Sequence, residues 1–412
     1  MDEKVTTQNE ESMKVLKPNI LYFAPCGLYE GVGGSARLRN MLDVLERLEV
    51  NTQLISYLPG EKLGVTHKRV GNYLNTLTVH VPRSSPKIFK LFALLLIFIY
   101  GLRYIKKSNI MFAHSPGIVS GFPAFSLAKI FGKPLLVDHM DTKDPDTPKF
   151  IYNSVLKNSN TVFTISRYLE EEVKQIGCRN VVYVPVFINT DAFQRDVRER
   201  GKIRKELGIG SNEVVIGYSG SFWYVEGVPF LLKAFKSLSD RYGNIKLVLV
   251  GGKNAANSDN IPQLINELSL RERVILIPPQ PHQLMPKYLS AFDIACSPKI
   301  DSEENRAANP IKIYEYMSMG LPTIVSAVGE ISNIIENGYD GFLANAGDEN
   351  DWEKKLEHVI QNLNSLQGVG GKAREKIIKN YTQQVILEKV REALKQLSNK
   401  INIGNQRGGL IK

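Results

Sequence analysis

The stretch from Ile20 to Leu48, ILYFAPCGLYEGVGGSARLRNMLDVLERL, decides the predicted fold. Its first five residues are apolar and predict a buried strand, and a glycine-rich turn then leads into an amphipathic helical pattern. A strand, a glycine-rich loop and a helix in this order begin a parallel βαβ unit. The stretch therefore predicts an α/β domain at the start of the chain.

The same alternation continues along the sequence. Short apolar runs typical of buried strands follow at NTQLISYL, TLTVHVP, NIMFAH, PLLVDHM and TVFTIS, and a second set comprises VVIGYSG, IKLVLVGG, VILIPP, DIACSP and PTIVSA. Such alternation favours parallel, doubly wound sheets. Between the two sets, residues 184–193 (VPVFINTDAF) show little periodicity and are the predicted hinge. We predict two Rossmann-like domains that face each other across a cleft.

The predicted organisation has five parts. They are a disordered N-terminal tail (1–17), an N-terminal Rossmann-like domain (18–188), a C-terminal Rossmann-like domain (189–380), a helix packing back on the domains (381–398) and a flexible tail (399–412). The first segment is polar and acidic, which argues against a secretory signal. The last one is rich in glycine and polar residues, which favours fraying.

Composition narrows the functional classes. The chain has 412 residues, of which 43% are hydrophobic, enough for two domains with sizeable cores. Its three cysteines, Cys26, Cys178 and Cys296, are far apart and lack metal-ligand spacing. Neither a disulfide framework nor a zinc site is therefore indicated, and a reducing cytosol fits best.

The positive charge of the chain is unevenly distributed. The formal net charge is +10, and from Lys62 to Val137 there are eleven Lys and Arg residues but no Asp or Glu. An excess of one sign across a folded region indicates an anionic partner, although a solvated basic face is the simpler alternative. Since no basic stripe with interleaved aromatic residues is present, a membrane is favoured and nucleic acid is not expected.

A hydrophobic segment lies inside this basic region, KIFKLFALLLIFIYGLRYIKK from Lys87 to Lys107. Its uncharged core, Leu91 to Leu102, would form a helix about 18 Å long, too short for a hydrocarbon layer of about 30 Å. Because the core is apolar on every side, it is either a buried helix or one that docks at a membrane surface, which we favour. The residues predicted to contact the membrane are Lys87, Lys90, Leu95, Phe98, Arg103, Lys106 and Lys107.

The stretch NPIKIYEYMSMGLP, Asn309 to Pro322, predicts a short helix with clear ends. Asn309 is the predicted N-cap, Pro310 suits the first position, and Gly320 ends the helix. The helix contains Glu315, whose charge requires solvent, a partner or a ligand. The free N–H groups at its start and Lys312 suit a diphosphate. Glu315 could then accept hydrogen bonds from a ribose, or alternatively bond neighbouring backbone or tyrosine groups.

Three glycine turns follow predicted strands. They are Val32-Gly33-Gly34, Gly220-Ser221 and Gly251-Gly252. Glycine lets the backbone approach a ligand closely, and a helix N-terminus favours an anion such as phosphate. Each pair could equally serve only its tight turn, so the three together indicate a phosphate site more than any one does.

Six stretches carry a resemblance to a known family: GVGGSARLRNML, VFTISRYL, VPVFINTDAF, GYSGSFWYVEGVPFLLKAF, KLVLVGG and NPIKIYEYMSMGLPTIVSAVGEISNIIENGYDGFL. In this order, from about Asn19 to the final helix, the chain resembles the retaining glycosyltransferases of family four (glycosyl transferases group 1), which have the GT-B fold. The resemblance implies that the C-terminal domain binds most of a nucleotide-sugar and that no catalytic metal is needed. It also implies that Gly33 and Gly34 lie near the donor phosphates and acceptor, and that Glu315 binds the ribose.

The chain also departs from the family pattern. The family often has a second glutamate eight positions before the one matching Glu315, where this chain has Ala307. It commonly has Arg and Lys where this chain has Ser221 and Glu226, and a carboxylate there would repel a diphosphate unless it is turned away. The missing charge could come from Lys299, Arg306 or Lys312.

The histidine of the family's first domain aligns with Met140, so His139, one residue earlier, and His114, at the end of another strand, are the alternatives. The candidate catalytic residues are His139, His114, Asp141 and Glu315. The candidate donor-binding residues are Gly33, Gly34, Gly220, Ser221, Gly251, Lys299, Arg306, Asn309, Pro310, Ile311, Lys312 and Glu315.

The resemblance implies a retaining hexosyltransferase that uses a nucleotide-sugar, such as a UDP- or GDP-sugar, without a further cofactor. We expect a sugar or lipid-linked acceptor and a cytoplasmic protein peripheral to the inner face of the membrane. The N-terminal domain (18–188) would face the acceptor and the membrane, and the C-terminal domain (189–380) would bind the nucleotide-sugar. The alternatives are a catalytically silent partner subunit of the same fold and a nucleotide-sugar epimerase. A dinucleotide oxidoreductase is disfavoured because GVGG lacks the full G-x-G-x-x-G spacing.

Overall fold

The computed structural model describes residues 18–28, 33–60, 62–82, 87–252 and 260–408. The predicted tail (1–17) and Val32 of the first glycine turn lie outside them. The described chain forms two compact units, one running to Val184 and resuming at Ile386, the other comprising Pro185–Val385. The chain passes between the units within the predicted hinge.

The first unit is built on one eight-stranded sheet with the strand order β3-β4-β2-β1-β5-β6-β7-β8. Its strands are β1 (Asn19–Ala24), β2 (Asn51–Gly60), β3 (Gly64–Val70), β4 (Leu74–Pro82), β5 (Ile110–Ala113), β6 (Leu135–His139), β7 (Thr161–Thr164) and β8 (Val181–Tyr183). Its helices are α1 (Gly33–Arg47), α2 (Lys87–Ile105), α3 (Gly121–Phe131), α4 (Lys149–Lys157) and α5 (Arg167–Ile176). All neighbouring strands pair in parallel except β3, which is antiparallel to β4.

Both faces of this sheet are covered, as expected for parallel strands with helical connections. Successive residues of β6 point to opposite faces, yet Leu135, Leu136 and Val137 are all buried. The central strands therefore form continuous apolar runs in the sequence, which is why they were predictable. The edge strand β3 was not predicted, because its burial pattern is largely exposed and its sequence GVTHKRV has little apolar content.

The second unit is built on a six-stranded sheet, all parallel, with the order β11-β10-β9-β12-β13-β14. Its strands are β9 (Val214–Ser221), β10 (Ile245–Gly252), β11 (Val274–Ile277), β12 (Ile294–Ser297), β13 (Thr323–Ser326) and β14 (Phe342–Ala344). Its helices are α6 (Val197–Glu206), α7 (Val228–Ser239), α8 (Ile261–Glu267), α9 (Met285–Leu289), α10 (Glu303–Ala307), α11 (Ile311–Ser318), α12 (Ile331–Ile334), α13 (Glu349–Gln361) and α14 (Gln367–Asn380). The prediction of two doubly wound α/β domains is confirmed.

Strand order locates the ligand crevice of each sheet. In open α/β sheets, ligands bind beyond the carboxyl ends of the strands, where the strand order reverses. The reversal lies between β1 and β5 in the first sheet and between β9 and β12 in the second. Gly220, near the end of β9, and Lys299, just after β12, therefore occupy the crevice position of the second sheet.

The last helix, α15 (Gln383–Gly408), follows the predicted helix but is longer. Its residues from Ile386 onward belong to the first unit, and Ile386, Val390 and Leu394 are buried as the apolar pattern indicates. The structure continues the helix through residues 399–408, where the sequence predicted a flexible tail, since this segment contains no proline to stop a helix. Residues 409–412 lie outside the described part.

Candidate donor-binding site

Helix α11 begins one residue later than predicted. Pro310 is its N-cap, with an extended ψ of 120°, and no side chain caps the helix. The prediction that Asn309 is the N-cap was therefore wrong, because Pro310 keeps a non-helical ψ and helical geometry starts only at Ile311. The predicted end is confirmed: Gly320 has a φ of +67°, and the N–H of Leu321 bonds the carbonyl of Tyr316, as in a Schellman motif.

Glu315 is buried within α11, and its side-chain partner is His282. Its side chain is only 4% exposed, and its Oε1 lies 2.6 Å from Nε2 of His282, which is 60% exposed. The His282 ring also lies against Phe193, with 5.3 Å between the ring centroids. The neighbouring tyrosines have other contacts. The Tyr316 hydroxyl accepts the N–H of Ser219, and the ring of Tyr314 lies against that of Tyr381. Sequence reasoning missed His282, since nothing near it in the chain points to Glu315.

A second buried cluster joins Glu226 to two lysines. Nζ of Lys312 lies 2.6 Å from Oε2 of Glu226, and Nζ of Lys299 lies 3.1 Å from Oε1. Burial alone raises the pKa of Glu226, but the ammonium groups of Lys312 and Lys299 outweigh it and hold the pKa at about 2. Burial lowers the pKa of Lys312 despite its carboxylate partner. Glu226 therefore orients both lysines, and the cluster keeps a net charge of +1.

Of the other candidate cations, Lys299 belongs to this cluster, whereas Arg306 lies at the surface. Lys299 also donates to Oδ1 of Asn305 at 2.7 Å, which fixes its position in the cluster. Arg306 forms a bidentate pair with Asp301, at 2.7 and 2.8 Å. Ala307, which takes the place of the family's second glutamate, is completely buried. Of the three predicted sources of charge, the structure brings Lys299 and Lys312 together.

The glycines at the ends of β9 and β10 are required by packing. A Cβ on Gly220 would lie 2.5 Å from Nζ of Lys312, and one on Gly251 would lie 1.8 Å from the carbonyl oxygen of Gly220. Both residues have a positive φ, +146° and +141°, which other residues rarely adopt. The tight approach of the two strand ends and of Lys312 accounts for these glycines, and it places the Gly220-Ser221 backbone beside the lysine cluster.

We expect the stability of the protein to depend on the ionisation of Glu226. Its pKa is lowered from 4.5 to about 2, so its contribution is present above pH 4.5 and is lost as the pH falls toward 2. Between pH 6 and pH 3 this loss should be about 2 kcal/mol. Urea unfolding of the native protein and Glu226→Gln at each pH measures it, because the variant cannot titrate at this position. A stability difference that does not change over this range would contradict the assignment.

The first unit contributes a separate buried cluster around His114. Nδ1 of His114 lies 2.9 Å from the hydroxyl of Tyr22 and 3.8 Å from Oδ2 of Asp138. Asp138 in turn accepts two hydrogen bonds from Arg37 of α1, at 3.0 and 2.9 Å. Burial, followed by the charge of Asp138, raises the pKa of Tyr22 well above its usual value. Arg37 and Asp138 were not predicted, although both lie within the quoted motifs.

His139 is the last residue of β6 and points toward helices α4 and α5. Its Nε2 lies 2.9 Å from the hydroxyl of Tyr152 and 3.3 Å from Oε2 of Glu172. Burial raises the pKa of Glu172, but several opposing effects outweigh it and lower this pKa below its usual value. The largest of these effects is the hydrogen bond with His139. Asp141 is exposed, and its carboxylate accepts the N–H of Thr142. Gly33 and Gly34 are the first two residues of α1.

We expect His139→Ala to lower the free energy of unfolding by about 1–2 kcal/mol, because the buried Tyr152 hydroxyl loses one of its partners. Urea unfolding measures this change. A catalytic contact is a separate property, since a group that touches the reacting sugar affects kcat more than donor binding. Loss of kcat in a folded variant with unchanged donor affinity would support that contact, whereas full activity would remove His139 from the site.

Helix α2 presents an apolar surface. Leu91, Leu95, Ile99 and Leu102 are exposed at helical spacing and form what we call the α2 stripe. The opposite side, including Ala93 and Ile97, is buried in the first unit. Phe98, predicted to face a membrane, is half-buried, and its ring packs against Phe122 with 5.7 Å between the ring centroids. Arg103, Lys106 and Lys107 are exposed at the end of the helix.

Residues 199–396 match the family model described as glycosyl transferases group 1. This segment contains the Glu226 cluster and the pair formed by Glu315 and His282. This segment is similar to the glycosyl transferases group 1. The family resemblance that the sequence motifs indicated is thereby confirmed. Within the matched segment, the Glu226 cluster lies at the crevice position of the second sheet, and Glu315 lies on α11.

Curated relatives and solved structures extend the comparison. D-inositol 3-phosphate glycosyltransferase from Mycobacterium sp. (strain KMS) is 26% identical over 165 residues, which cover 39% of this chain and 36% of that protein. The matched part thus spans about a third of the length of that relative. The D-inositol 3-phosphate glycosyltransferase from Corynebacterium jeikeium (strain K411) is 23% identical over 233 residues, covering 53% of this chain and 54% of that protein.

Solved structures match nearly the whole chain. Sucrose-phosphate synthase from Thermosynechococcus elongatus has a TM-score of 0.77 at 16% identity, covering 93% of this chain and 100% of that one. HepE from Anabaena in complex with UDP has a TM-score of 0.73 at 15% identity, covering 92% and 100%. At these identities the likeness shows the fold, and the predicted GT-B fold class is confirmed.

Proposed function

We propose that the chain is a retaining, metal-independent hexosyltransferase that moves a sugar from a nucleotide-sugar to an acceptor. The observation that carries this proposal is the lysine cluster around Glu226, which lies in the family-matched segment at the end of β9. A net positive charge beside the Gly220-Ser221 backbone suits a diphosphate, and Glu315 on the adjoining helix suits a ribose. The structural neighbour HepE was solved in complex with UDP, which agrees with such a donor.

Leaving-group stabilisation is the main catalytic contribution in this proposal. As the bond between the sugar and the phosphate oxygen breaks, negative charge develops on the diphosphate. Lys312 and the backbone N–H groups at the start of α11 stabilise that charge, because they are already oriented before the reaction. The acceptor hydroxyl forms the new bond to the anomeric carbon on the same face, and its proton passes to the departing phosphate oxygen. No carboxylate pair is needed for this step.

Donor binding changes the partner of Glu315 in this proposal. The carboxylate is held by the exposed imidazole of His282, at 2.6 Å, when no nucleotide is present. Two ribose hydroxyls would replace His282 as hydrogen-bond donors to Glu315. Since His282 is largely exposed, its imidazole can move into solvent while the carboxylate stays buried.

A donor panel tests the proposal. Thermal unfolding is measured with UDP-, GDP- and ADP-sugars, and we expect one class to stabilise the protein, by about 2.7 kcal/mol at a hundredfold excess over its dissociation constant. NMR of the product should show a retained anomeric configuration, and EDTA should leave turnover unchanged. Neither binding nor sugar release with any donor would favour the silent subunit, and a product formed without acceptor would favour an epimerase.

We also propose that the first unit docks on the cytoplasmic face of a membrane through the α2 stripe and there receives a lipid-linked acceptor. No helix in the described part of the chain has the length and apolar character to span a bilayer. Four exposed apolar side chains would instead lie in the interface, while Arg103, Lys106 and Lys107 contact anionic headgroups. Each such charge adds about 1 kcal/mol of attraction.

Liposome flotation measures this docking. We expect binding that needs anionic lipid, weakens with salt and falls strongly when Lys90, Arg103, Lys106 and Lys107 are changed to Gln. Replacing Leu95 and Ile99 by Ser should weaken binding without changing its salt dependence, because these side chains carry no charge. Absence of binding to anionic liposomes at low salt would contradict both the docking and the lipid-linked acceptor.

A further inference from the structure

A cavity of about 570 Å³ lies in the first unit, at the end of the sheet where strands begin. Asn19 and Asn51, the first residues of β1 and β2, line it, as does Ser108, just before β5. Ligand crevices of doubly wound sheets lie at the opposite edge, beyond the carboxyl ends of the strands. The cavity therefore has no part in the donor and acceptor chemistry proposed above.

The charge of the cavity wall is entirely positive. Lys68, Arg69 and Lys107 line it together with His67, and none of the described lining residues is Asp or Glu. The carboxylate of Glu46 accepts the N–H of Asn72 and does not line the cavity. The wall hydroxyls of Thr52 and Thr76 donate to backbone carbonyls. Such a wall suits an anion that lysine and arginine can bind.

The cavity adjoins the helix that carries the α2 stripe. Tyr104, on the last turn of α2, and Lys107, just beyond it, both belong to the wall. The ring of His67 lies 5.9 Å from that of Tyr100, which joins strand β3 to the same helix. Leu102 of the stripe, which is half exposed, is two residues from Tyr104. A cationic cavity and an exposed apolar surface thus meet at one end of α2.

We infer that this cavity binds the phosphate headgroup of a membrane lipid. An amphiphile with an anionic phosphate and apolar chains matches both features: Lys68, Arg69 and Lys107 contact the phosphate while the chains lie beside the α2 stripe. The inference rests on the proposed membrane docking and adds a defined headgroup site to it. Free inorganic phosphate shares the headgroup chemistry but would leave the apolar surface without a function.

Two double variants with the same loss of charge separate a headgroup site from general attraction. Lys68→Gln with Lys107→Gln removes two cations from the cavity wall. Arg103→Gln with Lys106→Gln removes two cations from the same end of α2, and neither of these residues lines the cavity. Flotation is measured with phosphatidylcholine vesicles that contain either phosphatidic acid or diacylglycerol succinate, which is anionic but has no phosphate, at matched surface charge.

On succinate vesicles the two variants should bind about equally. Each should bind more weakly than the native protein, by about fivefold for every charge removed. On phosphatidic acid vesicles the cavity variant should bind about ten times more weakly than the control variant, because it also loses charged hydrogen bonds to phosphate. Equal binding of the two variants on phosphatidic acid would overturn the headgroup site and leave the docking proposal intact. A native protein that binds neither vesicle would overturn both.

Inorganic phosphate distinguishes the two sources of the anion. Its addition at millimolar concentration should reduce binding of the native protein to phosphatidic acid vesicles and leave binding of the cavity variant unchanged at equal ionic strength. Tight binding of inorganic phosphate that depends on Lys68 and Lys107, without any preference for phosphatidic acid over succinate, would assign the cavity to a soluble phosphate and overturn the lipid assignment.

Discussion

Glu315→Ala should abolish turnover and weaken nucleotide binding by about 10- to 150-fold, the equivalent of about 1.5–3 kcal/mol for a hydrogen bond to a charged group. The carboxylate is buried on α11 and is the one group there that can accept two ribose hydroxyls. Isothermal titration with the nucleotide that stabilises the native protein measures the affinity, and steady-state assays measure kcat. Thermal unfolding of the variant confirms that it remains folded.

His282→Ala is the matched control for Glu315. It removes the partner seen at 2.6 Å but leaves the carboxylate in place. We expect nucleotide affinity to stay the same or to rise, because the ribose no longer has to displace the imidazole. Unchanged nucleotide affinity in Glu315→Ala would show that the ribose role is wrong, and a loss in His282→Ala as large as that in Glu315→Ala would assign nucleotide binding to the pair.

Lys312→Met should have the second largest effect, on both stability and donor affinity. The substitution leaves Glu226 buried with Lys299 as its remaining cation, and breaking a buried pair costs about 3 kcal/mol. Affinity for a nucleoside diphosphate should fall because the cluster loses its net positive charge. Urea unfolding and calorimetric titration measure the two quantities, and methionine preserves the length and most of the packing of the side chain.

Two further variants make the Lys312 experiment decisive. In a double-mutant cycle, Glu226→Gln combined with Lys312→Met should recover at least about 1 kcal/mol relative to the sum of the single changes. Arg306→Gln removes an exposed pair with Asp301 and should change stability by less than about 1 kcal/mol, with no effect on donor affinity. Intact donor affinity in Lys312→Met would reject the role of Lys312 in binding the diphosphate and favour the silent subunit.

Local patterns in the sequence were sufficient for the central strands of both domains but not for the exposed edge strand β3. The central strands were identified because parallel strands covered on both faces must be apolar at every position, as in β1 and β6. The end of α11 was predictable at Gly320 because a positive φ is a property of one residue and its neighbours in the chain. The apolar core of α2 was equally visible, and the motifs indicated the family resemblance.

The partners of the charged residues were decided by the tertiary structure alone. From the sequence, Glu226 was unfavourable for a phosphate site, yet it is paired with Lys299 and Lys312, which are 73 and 86 residues away in the chain. Glu315 is held by His282, 33 residues away. A short-range sequence pattern contains no information on such pairs, because the order of strands in the sheet determines which loop ends meet. A buried charge must be paired, and only the folded chain determines which residue pairs with it.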